Sequence, residues 1–190
     1  DRVLDVAFHP SGTLVASASW DHTIRLWNTA TGEQVLSLDH GAPASYVAFS
    51  PDGARVASGG ENPEAQGGLL GLVRIFDVNT GTAIAAIETF GPITGLDFFN
   101  ASTVVVATGG QNCEQGGGGV ELFDAATGQS SLQLSGDTGW ATALVVDATN
   151  GAISARHSLG GFWFHSLATN GRSSICCMPM PRMPDPGADR

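Results

Sequence analysis

Apolar and polar residues alternate in short runs along most of the chain, and Gly, Pro, Asn or Asp cut the runs off. Alternation with a period of two puts every second side chain on one face, the mark of a half-buried β-strand. Near the start the pattern predicts strands over Val3–Phe8, Thr13–Ser17, Thr23–Trp27 and Gln34–Leu38. The punctuation has a conformational reason. In Pro10-Ser11-Gly12 and Pro51-Asp52-Gly53, proline presets φ at the second position of a tight turn and glycine accepts a positive φ at the fourth. No segment reads as a helix.

The runs repeat. Val6-Ala7-Phe8-His9-Pro10-Ser11-Gly12 returns 41 residues later as Val47-Ala48-Phe49-Ser50-Pro51-Asp52-Gly53, and Ala16-Ser17 and Ala57-Ser58 follow each. A looser copy begins at Leu96-Asp97-Phe98. Downstream, Ile24-Arg25-Leu26-Trp27-Asn28 is answered by Val73-Arg74-Ile75-Phe76-Asp77 and Val120-Glu121-Leu122-Phe123-Asp124, each closed by a Thr-Gly pair. A degenerate fourth copy runs through Phe162-Trp163-Phe164-His165. The anchors Trp27, Phe76, Phe123 and Phe164 are 49, 47 and 41 residues apart, a period that means one supersecondary unit repeated. Four strands per unit is a β-propeller blade. The expected fold is therefore all-β: a propeller segment of about four four-stranded blades over 1–177, in units of about 1–39, 40–88, 89–134 and 135–177. Arg172–Cys177 offers the last strand of the fourth unit or the first piece of a next blade. Met178–Arg190 carries Pro179, Pro181, Pro184 and Pro186 and reads as a disordered tail, or as the out-of-frame end of a gene.

Phe-x-Pro-x-Gly, then Ala-Ser, then Asp21-His22-Thr23-Ile24-Arg25-Leu26-Trp27 and a closing Thr-Gly, resembles the WD-repeat propeller family. In that family a Trp, a Ser or Thr, a turn Asp and the His of a Gly-His pair form a buried hydrogen-bond network in each blade. The resemblance assigns these roles to Trp27, Ser17 and Asp21, with the His falling before Asp1. In the second copy Phe76 replaces the Trp, Asp39-His40 stands for Gly-His, and an insertion removes the turn Asp. The third copy has neither His nor turn Asp. The resemblance thus implies a network in the first blade and apolar packing in the rest. It also implies a ring of about seven blades, of which this chain is an open portion: the sequence begins inside a strand pattern, the first blade awaits an outer strand from before Asp1, and both ends expose apolar faces. Leu38-Asp39-His40, Val47-Ala48-Phe49, Gly59-Gly60, Val73–Asp77 and Phe164-His165-Ser166 are similar to a receptor-associated branch of the family, which implies receptor signalling and spliceosomal ribonucleoprotein assembly. The insertions at Gly60 and Gly110 depart from that branch.

Composition narrows the function. Eight Lys plus Arg against eighteen Asp plus Glu give a net charge of −10, and lysine is absent. No P-loop, Schiff-base lysine or lysine base is available. Scattered Arg and strong negative charge speak against direct DNA binding and leave RNA as a partner only within a complex. Proteins with neutral or basic segments are the natural partners. Apolar runs are too short to span a membrane. The three cysteines, Cys113, Cys176 and Cys177, make no disulfide framework, which points to the cytoplasm and secondarily the nucleus.

Candidate chemistry is sparse. Cys176-Cys177 is not metal-ligand spacing, and His157 and His165, facing across a hairpin, lack a third ligand, so no metal or cofactor is expected. Asp5 and Asp97 on inner strands, with Asp147 close after one, are the carboxylates a propeller hydrolase would use, but they do not share one repeat position. An RNA-binding propeller is the other alternative. Against both stands a non-catalytic scaffold. Its candidate contacts are Trp20 and His22, which the resemblance puts on the partner-binding face, and Leu69 and Leu70 in the insertion between Gly60 and Gly71.

Overall fold

The computed structural model describes residues 1–62, 70–109, 119–134, 141–147, 151–157 and 162–166. All regular structure among them is β. The first sheet holds β1 (Val3–Phe8), β2 (Leu14–Ser19), β3 (Thr23–Asn28) and β4 (Gln34–Asp39). The second holds β5 (Ala44–Phe49), β6 (Arg55–Glu61), β7 (Gly71–Asp77) and β8 (Ala83–Thr89). The third holds β9 (Ile93–Asn100), β10 (Thr103–Thr108), β11 (Gly119–Asp124) and β12 (Ser130–Leu134). The fourth holds β13 (Ala141–Asp147), β14 (Ala152–His157) and β15 (Phe162–Ser166). Strand order follows chain order in every sheet, all pairs are antiparallel, and the leading strands β1, β5, β9 and β13 lie side by side. That is the arrangement of propeller blades along an arc.

Two expectations change here. The first blade has four strands from the residues described, with β4 as its outer strand. The Gly-rich insertion of the second blade is shorter than read, since Gly60 and Glu61 belong to β6 and Gly71 to β7. Arg172–Cys177 and the expected tail at 178–190 lie outside the described residues.

The turns form for local reasons. Gly32, Gly81 and Gly128 sit at φ +73°, +71° and +72°, and each donates its N–H to the carbonyl of the residue that follows the aromatic anchor. The side chains of those residues help. Asp77 Oδ1 accepts from the N–H of Asn79 and Thr80 and from the Thr80 hydroxyl, and Asp124 Oδ1 does the same with Ala126 and Thr127. Both carboxyls are held below their ordinary range, chiefly by these Thr80 and Thr127 bonds.

Apolar clusters fill the space between successive blades. Ala16, Ile24, Leu26 and Leu38 of the first blade meet Val47, Phe49, Val56 and Phe76 of the second. Ala57, Val73, Ile75 and Ile87 meet Phe98, Val104, Val106 and Phe123 of the third. Val105, Ala107, Val120 and Leu122 meet Leu144 and Ile153 of the fourth. Polar ties cross the same seams: the Val47 N–H donates to Asp5 Oδ2 at 2.9 Å, His9 Nε2 lies 3.1 Å from the Gly53 carbonyl, and Arg55 donates to the Ala101 carbonyl at 3.2 Å.

The ends of the arc are uncovered. By register with β2 and β6, Val6 and Phe8 match Val47 and Phe49. Val47 and Phe49 are 4% and 8% exposed under the first blade, whereas Val6 and Phe8 are 58% and 70% exposed. At the far end Val145, on the opposite side of β13 from Leu144, is exposed as well.

Candidate protein-binding face

In a chain of antiparallel strands, every second connection falls at the same end. The β2–β3, β4–β5, β6–β7 and β8–β9 connections therefore share one end of the arc. They carry Trp20 to His22, His40 and Gly41, Leu70, and Phe90 respectively.

Trp20 is 45% exposed. Its N–H donates to the Arg2 carbonyl at 3.0 Å and the Arg2 guanidinium lies 4.9 Å from its ring centroid. The backbone is pinned and the indole keeps an open side. Asp21 builds the turn. Its Oδ1 accepts from the Thr23 N–H at 3.0 Å and the Thr23 hydroxyl at 2.6 Å, and its Oδ2 pairs with Arg25 at 2.8 Å. The Thr23 hydroxyl is the main reason its carboxyl titrates below the ordinary value. His22 is exposed at φ +69°, and its carbonyl accepts the His40 N–H at 2.8 Å. This bond locks the first blade's turn to the crossing into the second. Leu70 is 46% and Phe90 64% exposed. Leu69 lies outside the described residues.

The hydrogen-bond network implied for the first blade divides. Trp27 Nε1 donates to Ser17 Oγ at 2.9 Å. Asp21 does not join that pair; its side-chain partners are Thr23 and Arg25. The expectation that the other blades rely on apolar packing alone also needs correcting. In the second blade His40 Nδ1 lies 2.7 Å from Ser58 Oγ, fully buried, and Ser58 occupies the register position of Ser17. Burial, reinforced by the Arg74 charge, lowers the His40 pKa to about 4. The third blade does follow the expectation: Val106 and Phe123 fill the Ser and Trp positions, and Thr89, at the His position, donates to the Gly91 carbonyl at 3.2 Å.

The carboxylates considered for catalysis are dispersed. Asp5 is occupied by the Val6 and Val47 N–H groups. Asp97 accepts from the Phe98 N–H at 2.8 Å, and burial raises its carboxyl above the ordinary value. Asp147 ends β13. His157 pairs in register with Ala141 and His165 with Ile153, so they are not cross-strand partners as expected. Cys113, Cys176 and Cys177 lie outside the described residues.

Sequence reasoning missed Phe90 and Arg74. Phe90 stands outside the strand alternation, just before Gly91-Pro92, which is a legible sign of an exposed turn aromatic. Arg74 repeats Arg25 in the sequence, and only the neighbours placed around each by the fold tell them apart.

The family model described as "WD domain, G-beta repeat" matches residues 1–28 and 32–64. Eukaryotic translation initiation factor 3 subunit I of Aspergillus fumigatus is 40% identical over 72 residues, covering 38% of this chain and 20% of that protein. The poly(A)+ RNA export protein of Schizosaccharomyces pombe is 33% identical over 84 residues, covering 43% of this chain and 22% of that one. An uncharacterized WD repeat-containing protein of Synechocystis is 41% identical over 61 residues, covering 31% and 18%. The match thus spans about a fifth of the length of these relatives. Among solved structures, the computationally designed Ika4 protein superposes with a TM-score of 0.66 at 22% identity, covering 86% of this chain and 90% of that one, a likeness of fold. Repeat, blade topology and family model agree that residues 1–28 and 32–64 are similar to the WD domain, G-beta repeat, and the fold of the described residues is that of propeller blades.

Proposed function

We propose that the chain is a non-catalytic scaffold that binds proteins through the end of the arc bearing Trp20, His22 and Leu70. The observation that carries this reading is the Trp20 ring: backbone-anchored, half-exposed, and at the same end as Leu70 and Phe90. Large rigid aromatics beside polar turns are the usual anchors of protein interfaces. The likeness to WD repeats supports a scaffold role, and the relatives named for a translation initiation factor and for RNA export support membership of a larger complex in the cytoplasm or nucleus. Between those settings and receptor signalling or spliceosomal assembly, the relatives' names favour the former. The −10 charge favours neutral or basic partner surfaces at long range.

The test is capture of partners from cytoplasmic extract by the wild-type chain and by Trp20→Ala at two salt concentrations. Trp20→Ala should weaken capture by more than about 1 kcal/mol with the melting curve nearly unchanged. The salt dependence should be shallower than the steep slope of phosphate-backbone binding. Unfolding on Trp20→Ala would make the Trp a core residue and remove the reading.

A further inference from the structure

Arg25 in β3 and Arg74 in β7 hold the same register position, each opposite the serine of its own blade, Ser17 and Ser58. Their side chains keep different company. Arg25 Nε donates to Thr23 Oγ1 at 3.2 Å and Nη2 to Asp21 at 2.8 Å. In the second blade Leu72 stands where Thr23 would be, and β6 and β7 run on to Glu61 and Gly71 instead of turning at an aspartate. Arg74 Nε is consequently buried without a partner, and Nη1 has only the Asp39 carbonyl at 3.4 Å. His40, fully buried and within the electrostatic reach of Arg74, is held to Ser58 through Nδ1 and leaves Nε2 without a partner too. Two buried nitrogens therefore stand without a partner in the blade that lost its turn carboxylate.

Building on the protein-binding reading of this end, we infer that Arg74 and His40 form a socket for one acidic side chain, an Asp or Glu of a partner polypeptide, in the role that Asp21 plays for Arg25 in the first blade. An Arg fork and an imidazole N–H are both donors, and a carboxylate is the acceptor that serves both with charge assistance. Ser58 Oγ lies 2.7 Å from His40 Nδ1 and 3.4 Å from the Arg74 carbonyl; when its single proton goes to the nearer Nδ1, the His40 proton is on Nε2, placed to donate. Access is from the exposed end: Arg74 is partly exposed, and its Nη2 lies 3.1 Å from where a Gly41 Cβ would stand, so the absent side chain leaves the guanidinium room beside an exposed backbone. The negative charge of the whole chain does not forbid this, because at physiological salt it is screened beyond roughly 8 Å while a contact ion pair is not.

The experiment follows the Arg74 Nε–H and His40 ring nitrogens by NMR in the 190-residue chain during titration with capped glutamate, capped glutamine and inorganic phosphate. Capped glutamate should shift both groups saturably and capped glutamine should not. The response should weaken at least tenfold in Arg74→Gln, persist in part in Arg74→Lys and be unchanged in Arg25→Gln. Equal response to glutamine, or indifference to Arg74→Gln in a variant that still melts like wild type, overturns the socket. A stronger response to phosphate overturns the carboxylate class. The two readings separate cleanly: loss of capture in Trp20→Ala without any glutamate response at Arg74 sinks the socket alone, whereas a glutamate response with capture untouched by Trp20→Ala sinks the Trp20 interface.

Discussion

His40 shows how one residue couples the hydrogen bonding of a blade to pH. Buried and bonded to Ser58, it stays neutral in the folded chain down to about pH 4, whereas an unfolded chain protonates it near 6.5. Between those values the unfolded state holds the extra proton, so stability is full at pH 7 and falls as pH drops from 6.5 toward 4. The full loss is about 3 kcal/mol, at 1.36 kcal/mol per unit. Thermal melts at pH 7 and pH 5 should show a larger drop for wild type than for His40→Asn, and identical drops would mean His40 titrates normally. The turn aspartates act in a separate window. Asp21, Asp52, Asp77 and Asp124 are depressed from 3.8, so their contribution is present above that value and lost as pH falls through the lower folded values. Asp77 and Asp124 each accept three bonds and close their turns.

The strands were largely legible because alternation and turn residues are local properties. β1 matches its expected span, and β2, β3 and β4 differ by one or two residues at their ends, where pairing such as Val3 with Ser19 carries the ladder further. Glycine was the element-scale trap. Gly60 read as the start of a flexible insertion, yet it is paired with Ala44 and Leu72 inside β6, and a Cβ there would lie 2.0 Å from the Pro43 carbonyl oxygen. A glycine needed for close backbone approach and one needed for flexibility look alike in sequence. Gly60→Ala should therefore destabilise the chain by about 1–3 kcal/mol, the usual range for overpacking. Gly119→Ala, whose Cβ meets nothing closer than the Leu134 carbonyl at 3.7 Å, should cost far less. Urea unfolding of the two variants decides it, and equal midpoints would refute the close approach.

At the scale of the whole molecule, each blade is half a contact. Three seams are filled by apolar clusters, and the outer faces of the arc are not: Val6 and Phe8 at one end and Val145 at the other keep the apolar residues of an inter-blade surface. Burial of a large aliphatic or aromatic side chain contributes about 1.5–3 kcal/mol, so two such faces favour association. The 190-residue chain by itself should self-associate or bind a hydrophobic dye, and Val6→Ser with Phe8→Ser should reduce both. Light scattering of a sharp monomer that binds no dye would show the ends to be otherwise satisfied.

The sequence by itself determined the repeat, the strand and turn positions and the all-β class, since these follow from side-chain alternation and from residues that fix φ within a few positions. It also singled out Trp20, Asp21 and His22 as a turn. Tertiary structure alone decided which polar groups meet. Asp21 belongs with Thr23 and Arg25 and not with Trp27; Asp5 is used up by the neighbouring blade; and His40 and Arg74 each keep a buried nitrogen without a partner. Each of these depends on pairing register and on packing between residues far apart in the chain, such as Asp5 with Val47 or His40 with Ser58, and no local pattern encodes a distance across a seam.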